Sequence, residues 1–238
     1  MPIWNPNNVS HLLARTLFGY SKNDLSVAQG FGTFSDLLDL AILKDNPTPS
    51  APNTWVNTVP AGTQLSSGEA GTWYREFNYW WFNLMHKEGL NMREKMVLFW
   101  HDHFANERDK VQYPQNMYAQ NAMFRKYAFG NFKQLVKEIC IDPAMLIYLD
   151  GNNSRGSNAN ENYARELLEL FTMGIGNYSE NDIKQAAKVL SGWQVSGLKA
   201  NFVSTRWYTD ASVTILGKTA KFDVNSLVDH IFDQKVTA

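Results

Sequence analysis

Apolar side chains recur every three or four residues along most of this 238-residue chain, and helix start and stop signals separate the runs. In "VSHLLARTLFG", Leu12, Leu13 and Leu17 form one stripe, stopped by Gly19. Ser21 with Asp24, Thr33 with Asp36, Asn91 with Glu94 and Asn131 with Gln134 have the spacing of N-terminal capping boxes. "DPAMLIYL" places a capping Asp142 before Pro143 at the first helical position, and a further helix starts at Ser179. "TWYREFNYWWFNLMHKEG" carries Trp73, Phe77, Trp80, Trp81, Leu84 and Met85 on one face, with Tyr74 and Asn78 off its centre and able to reach a groove. This pattern predicts a mainly α fold, a compact multi-helix domain of roughly nine helices of ordinary length.

Two stretches depart from the pattern. Residues 44–71 contain Pro47, Pro49, Pro52 and Pro60 and read as one long loop, either a lid over a site or a solvated insertion. Residues 193–222 are rich in Val, Thr and aromatic residues and predict a small β-hairpin excursion near the C-terminus. The last run, "NSLVDHIFDQKVTA", is helical and ends without a cap, so residues 1–238 read as a single helical domain that is cut short. With 44% apolar and 19% charged residues the chain has material for a real core. Its net charge of −1 predicts no nucleic-acid partner. No apolar run nears the roughly 18 residues a membrane span needs, and no export signal opens the sequence. The lone Cys140 reads as a small core residue. The 8 Trp, 10 Tyr and 14 Phe can fill a core or wall a ligand site.

The most distinctive stretch is "LDGNNSRGSNANENYARELLELF". Read from Asp150 to Glu161, its loop sets Asp150, Asn152, Ser154, Gly156, Asn158 and Glu161 at the six ligand positions of a calcium-binding helix–loop–helix. Hard cations need that many oxygens because they must replace a hydration shell, so Ca2+ is the expected cofactor if the loop is a cage. Arg155 stands where the sharp turn wants Gly, and two carboxylates predict weak affinity. The other reading is a cap: Asn158 with Glu161 as its box partner, or Asn160.

On a 3.6-residue wheel, Tyr163, Ala164, Leu167, Leu168, Leu170 and Phe171 share one face of the following helix, and Glu161, Arg165, Glu166 and Glu169 share the other. That polar face is either a solvated series of i, i+4 ion pairs or the wall of a cleft in which Arg165 holds the carboxylates. In "FWHDHF", His101 and His103 lie about 200° apart on a helix and cannot chelate one ion together. His103 falls with Met96, Phe99 and Trp100 on the apolar face, and His101 with Val97 and Glu94. His103 is therefore a core histidine or an acid–base partner of Glu166. Nucleophile and phosphate-loop motifs are absent.

"HLLARTLFG", "REKMVLFWHDHFAN", "NFKQLVKEICIDPAMLIYLD", "NENYARELLELFTMGIGNYSENDIKQAAKVLSGW" and "TILGKT" occur in this order. Together they resemble the domain-of-unknown-function 1800 family, bacterial and mainly helical proteins. The resemblance implies candidate residues rather than a reaction, exported relatives, and relatives that continue past Ala238. Where the family tends to show a His-Asp pair and then a Lys before "LG", this chain has Tyr208, Thr209 and Val213, so it lacks the pair or shifts any role of that pair to Asp210. The combined expectation is a hydrolase-like enzyme with His103, Arg165 and Glu166 as catalytic residues, Glu161 beside them, and a carbohydrate or cell-envelope ligand. The alternative is a non-catalytic binding or scaffold domain in which the Asp150–Glu161 loop is a structural cation site or a cap.

Overall fold

The structure, a computed structural model, describes residues 3–58, 67–208 and 211–237. Eleven α-helices and two β-hairpins are present among them. The chain opens with α1 (Pro6–Thr16), α2 (Lys22–Gln29) and α3 (Phe34–Leu37), the last widening into a π-helical turn over Leu38–Ile42. A 3₁₀ turn at Thr54–Asn57 precedes the long α4 (Ser67–Lys87). There follow α5 (Arg93–His103), α6 (Pro114–Lys126), α7 (Phe132–Ile139) and α8 (Pro143–Tyr148). α9 (Glu161–Glu166) continues without a break as a π-helix over Leu167–Met173, and α10 (Glu180–Leu190) returns against it. The antiparallel hairpins β1 (Trp193–Ser196) with β2 (Lys199–Phe202), and β3 (Val213–Ile215) with β4 (Lys218–Ala220), lead to α11 (Val224–Phe232).

The helix starts follow the local chemistry. Ser21 and Ser179 form complete capping boxes with Asp24 and Asp182. Thr33, Asn131 and Asp142 accept from the backbone N–H three residues on, each satisfying a donor the first turn leaves unpaired. The predicted Asn91–Glu94 box does not form. Asn91 Oδ1 takes the N–H of Arg93, and the Glu94 N–H goes to Glu88 Oε2.

Glu94 is needed elsewhere. It is 1% exposed, and its carboxylate receives Nε and Nη2 of Arg125, both at 2.6 Å, and Trp81 Nε1 at 3.0 Å. This buried pair joins α4, α5 and α6 and sets the rotation of α5 about its axis. Arg93, Glu94 and Val97 point inward while Phe99 is 53% exposed. The apolar-face reading of α5 had this reversed, because it gave Phe99 rather than the ion pair the interior.

The main core gathers α4–α11 and β3, including Phe77, Phe104, Phe124, Tyr163, Leu167 and Ile183. α1–α3 close over a smaller core of Val9, Leu13, Leu17, Ala28, Leu37 and Ile42. Asn91 ties this smaller core to the rest by donating to the Ala41 and Lys44 carbonyls. Tyr74, expected near a groove, is buried with its hydroxyl on the Val111 carbonyl. Cys140 is a buried thiol pushed up to about 12 by desolvation, so it is chemically quiet. The proline-rich segment is anchored where the structure describes it. Arg93 donates to the Asn46 and Pro47 carbonyls, Trp80 Nε1 to Ser50, and Trp55 is buried, stacked 5.6 Å from Trp73. Pro60 lies outside the described residues.

Replacing Glu94 with Ala strands a buried guanidinium. Urea unfolding of that variant is expected to show a loss of about 3–5 kcal/mol, whereas a loss near zero would mean that the pair is solvated.

Candidate functional site

The rotation of α5 decides where its histidines go. His101 is seven residues from Glu94, close to two full turns, and so shares the inward face, edge-on to Trp81 at 5.2 Å. His103, nine residues on, is turned about 180° away. It meets the end of the π-helix, where its Nε2 lies 3.1 Å from the Phe171 carbonyl oxygen. A carbonyl only accepts, so Nε2 carries the proton and Nδ1 keeps its lone pair. The helix ends at Met173, which leaves the Phe171 carbonyl one of the terminal acceptors without a partner of its own. Burial among aromatic rings holds His103 below the usual imidazole range, opposed by this hydrogen bond and by Asp102.

Glu166 sits at the junction of α9 and the π-helix, half-buried. Desolvation first, and repulsion from Glu169 second, raise its carboxyl above the ordinary value, while Arg165 pulls it down. His103 and Glu166 line one recess of about 490 Å3 together with Asp102, Lys110, Tyr148 and Asn162, closed on the apolar side by Leu170 and Phe171. Lys110 is held there by Asp150 at 2.7 Å and lies 5.8 Å from the Tyr148 ring centroid.

Arg165 does not join them. Its guanidinium forms a bidentate pair with Glu180 of α10 at 3.0 and 2.8 Å, and Glu169 accepts from Tyr178 instead. The i, i+4 pairs expected with Glu161 and Glu169 are absent because partners on and before α10 reach Arg165 and Glu169 first. The π turn has a second effect: Leu170, placed on the apolar face by a 3.6-residue wheel, is 57% exposed, since a wider turn shifts every later side chain.

The loop before α9 is built from its own hydrogen bonds. Asp150 adopts φ 58°, a left-handed conformation that Asp tolerates. A 3₁₀ turn covers Gly151–Asn153, and Ser154 Oγ accepts the Asn160 N–H at 3.0 Å. Asn160, not Asn158, is the N-cap of α9, and its Nδ2 donates to the Leu149 carbonyl. Arg155 and Asn158 pair as an antiparallel bridge around Gly156 and Ser157. The Gly156 N–H donates to the Arg206 carbonyl at 2.9 Å, and a Cβ on Gly156 would fall 2.3 Å from the Tyr208 Cα. The six predicted ligand positions are thus divided: Asp150 turns toward the His103 recess, Gly156 toward the segment 204–208. Asn152 Oδ1 is buried without a partner, and Glu161 is half-exposed. Among the described residues no group of three or more His, Cys, Asp or Glu side chains could hold a metal. Tyr208 is buried with its hydroxyl on the Phe222 carbonyl, and Val213 is buried in β3. Thr209 and Asp210 lie outside the described residues.

A family profile described as "Protein of unknown function (DUF1800)" matches residues 11–238. The chain belongs to the DUF1800 family. No curated protein and no solved structure matches it. The recess in this DUF1800 chain draws on three of the segments that carry the resemblance, those with "FWHDHF", "DPAMLIYLD" and "NENYARELLELF", and adds Lys110 from outside them; no spacing in the sequence connected Lys110 or Tyr148 to the others.

The two ionisable groups pull stability in opposite directions with pH. His103 has a folded pKa below the unfolded 6.5, so its contribution is complete above about 6.5 and falls as the pH drops below that. Glu166 has a folded pKa above 4.5, so its contribution is complete below about 4.5 and is lost as the pH rises through the folded value. An NMR titration of the His103 ring is expected to give a midpoint below 6.5; a midpoint above that value would contradict the desolvated ring.

Proposed function

We propose that this chain carries a hydrolytic site in the recess between the end of α5 and the start of the π-helix, acting on a carbohydrate or cell-envelope ligand. The observation that carries the proposal is the His103–Phe171 hydrogen bond. It fixes the imidazole with Nδ1 as the free base, in a recess also lined by Glu166, a carboxyl whose proton is held more tightly than usual. In the proposed reaction His103 Nδ1 takes a proton from water. The water oxygen bonds to the electrophilic carbon, the carbon–oxygen bond to the leaving group breaks, and that oxygen takes the Glu166 proton. Lys110, fixed by Asp150, contributes positive charge to the same recess. Arg165 takes no part in this scheme. Aromatic support for a sugar comes from Tyr148, because Phe171, though it lines the recess, is buried in the core with most other aromatic residues.

An activity screen on soluble envelope polysaccharides, using the full-length protein, tests the proposal. Glu166→Gln keeps the shape of the side chain, and His103→Gln keeps a donor for the Phe171 carbonyl. Each is expected to lower turnover by about 100-fold or more with the melting temperature unchanged. Activity retained in both variants would remove the recess as the site.

One observation favours the non-catalytic alternative of a structural cation site in the Asp150–Glu161 loop. Asn152 Oδ1 is a buried acceptor with nothing to accept from, as a ligand oxygen would be without its ion. Calorimetry with calcium would then show binding in the millimolar range that Glu161→Gln weakens. No heat, together with an unchanged melting temperature, would leave the loop as a cap and nothing more.

A further inference from the structure

The tip of the same loop faces a second recess, of about 560 Å3, formed with α10 and the segment 204–208. Its charged lining residues are Arg155, Lys188 and Arg206, with no acidic side chain among the described residues that line it. Seven of the other cations, Arg93, Lys110, Arg125, Lys126, Lys133, Lys137 and Arg165, each face a carboxylate. Arg155, Lys188 and Arg206 face none among the described residues, in a chain whose net charge is −1. Arg206 Nε is also buried without a hydrogen-bond partner, a desolvated donor on a fixed cation.

The walls are rigid before anything binds. The Gly156 N–H holds the Arg206 carbonyl, Trp207 Nε1 donates to Val189 at 3.1 Å, and the Tyr208 hydroxyl donates to Phe222 at 2.7 Å. Ser157 and Thr205 add hydroxyl donors at the rim. Two guanidinium groups and an ammonium group, the latter donating to Gln185 at 3.2 Å, line this one recess, and charge-assisted donors of this kind are what a multivalent oxyanion requires.

We propose that this recess is an anion-binding site for a multivalent oxyanion, a phosphate or clustered carboxylate group of a small ligand, with Arg155, Lys188 and Arg206 as its cationic donors. It rests on different residues from the hydrolytic recess, so either proposal can fail without the other. Calorimetry on the full chain at low ionic strength, with inorganic pyrophosphate and citrate as probes, tests it. At least one probe is expected to bind with a Kd below about 1 mM, about tenfold more weakly in Arg155→Gln and in Lys188→Gln. Lys184→Gln, an exposed lysine of α10 outside the recess, is expected to leave binding unchanged. Tighter binding of pyrophosphate assigns phosphate, tighter binding of citrate assigns carboxylates, and both support the site. Absence of binding by either probe, or equal weakening in Lys184→Gln, overturns it.

Discussion

The buried carboxylate of Glu94, clasped by Arg125 and Trp81, is the contact from which the positions of both histidines follow. An ion pair so enclosed needs each of its oxygens and N–H groups satisfied, and that requirement leaves α5 little freedom to rotate. With Glu94 inward, His101 must lie against Trp81, and His103 must emerge on the opposite side, beside the end of the π-helix. Glu88, which caps the Glu94 N–H, is pushed up to about 7 by burial and by its acidic neighbour. Arg93 uses the same position to hold the proline-rich segment. One polar contact thus organises three helices, an extended segment and one wall of the candidate site.

Helix identity was legible in the sequence wherever a cap and an apolar stripe agreed, as at Ser21, Asn131, Asp142 and Ser179. A small β excursion near the C-terminus was legible from its Val- and Thr-rich texture, but not its division into two hairpins. The interior face of α5 was not, because periodicity assigns apolar residues to the core and has no term for a buried ion pair. α6 shows the same limit more strongly: Gln115, Asn116, Gln120, Asn121 and Arg125 are all buried. Gln120 bridges Asn106 and Asp142, and burial pushes the Asp142 carboxyl up to about 7 despite the donors it faces. Gln120 and Arg125 are internal because Asn106, Asp142 and Glu94 meet them from far away in sequence, whereas Asn116 is buried with neither amide atom paired.

The candidate site divides along the same line. His103 and Glu166 were both named from local pattern, and the structure brings them to one recess. Arg165 was assigned a role by its i, i+4 neighbours, but a carboxylate fifteen residues away offers a bidentate partner that its own helix cannot. Lys110 reaches the recess from a segment with no motif of its own, and Tyr148 from a helix whose start signal says nothing of the recess. The loop was read as a choice between cage and cap. It holds its cap at Asn160, and its tip is pinned by Gly156 to a strongly basic neighbourhood.

The π-helix over Leu167–Met173 makes the site sensitive to chain length in a way that composition cannot show. A π turn holds one residue more than an α turn, so it stores a single extra position inside an otherwise regular helix. Losing the exposed Leu170 would let α geometry run through to Gly174. The backbone could still pair as an ordinary helix. The Phe171 carbonyl, however, would turn by about 100° and leave His103 without its anchor. Such a deletion would separate helix formation from site geometry: a segment still helical whose neighbouring imidazole has lost its orientation.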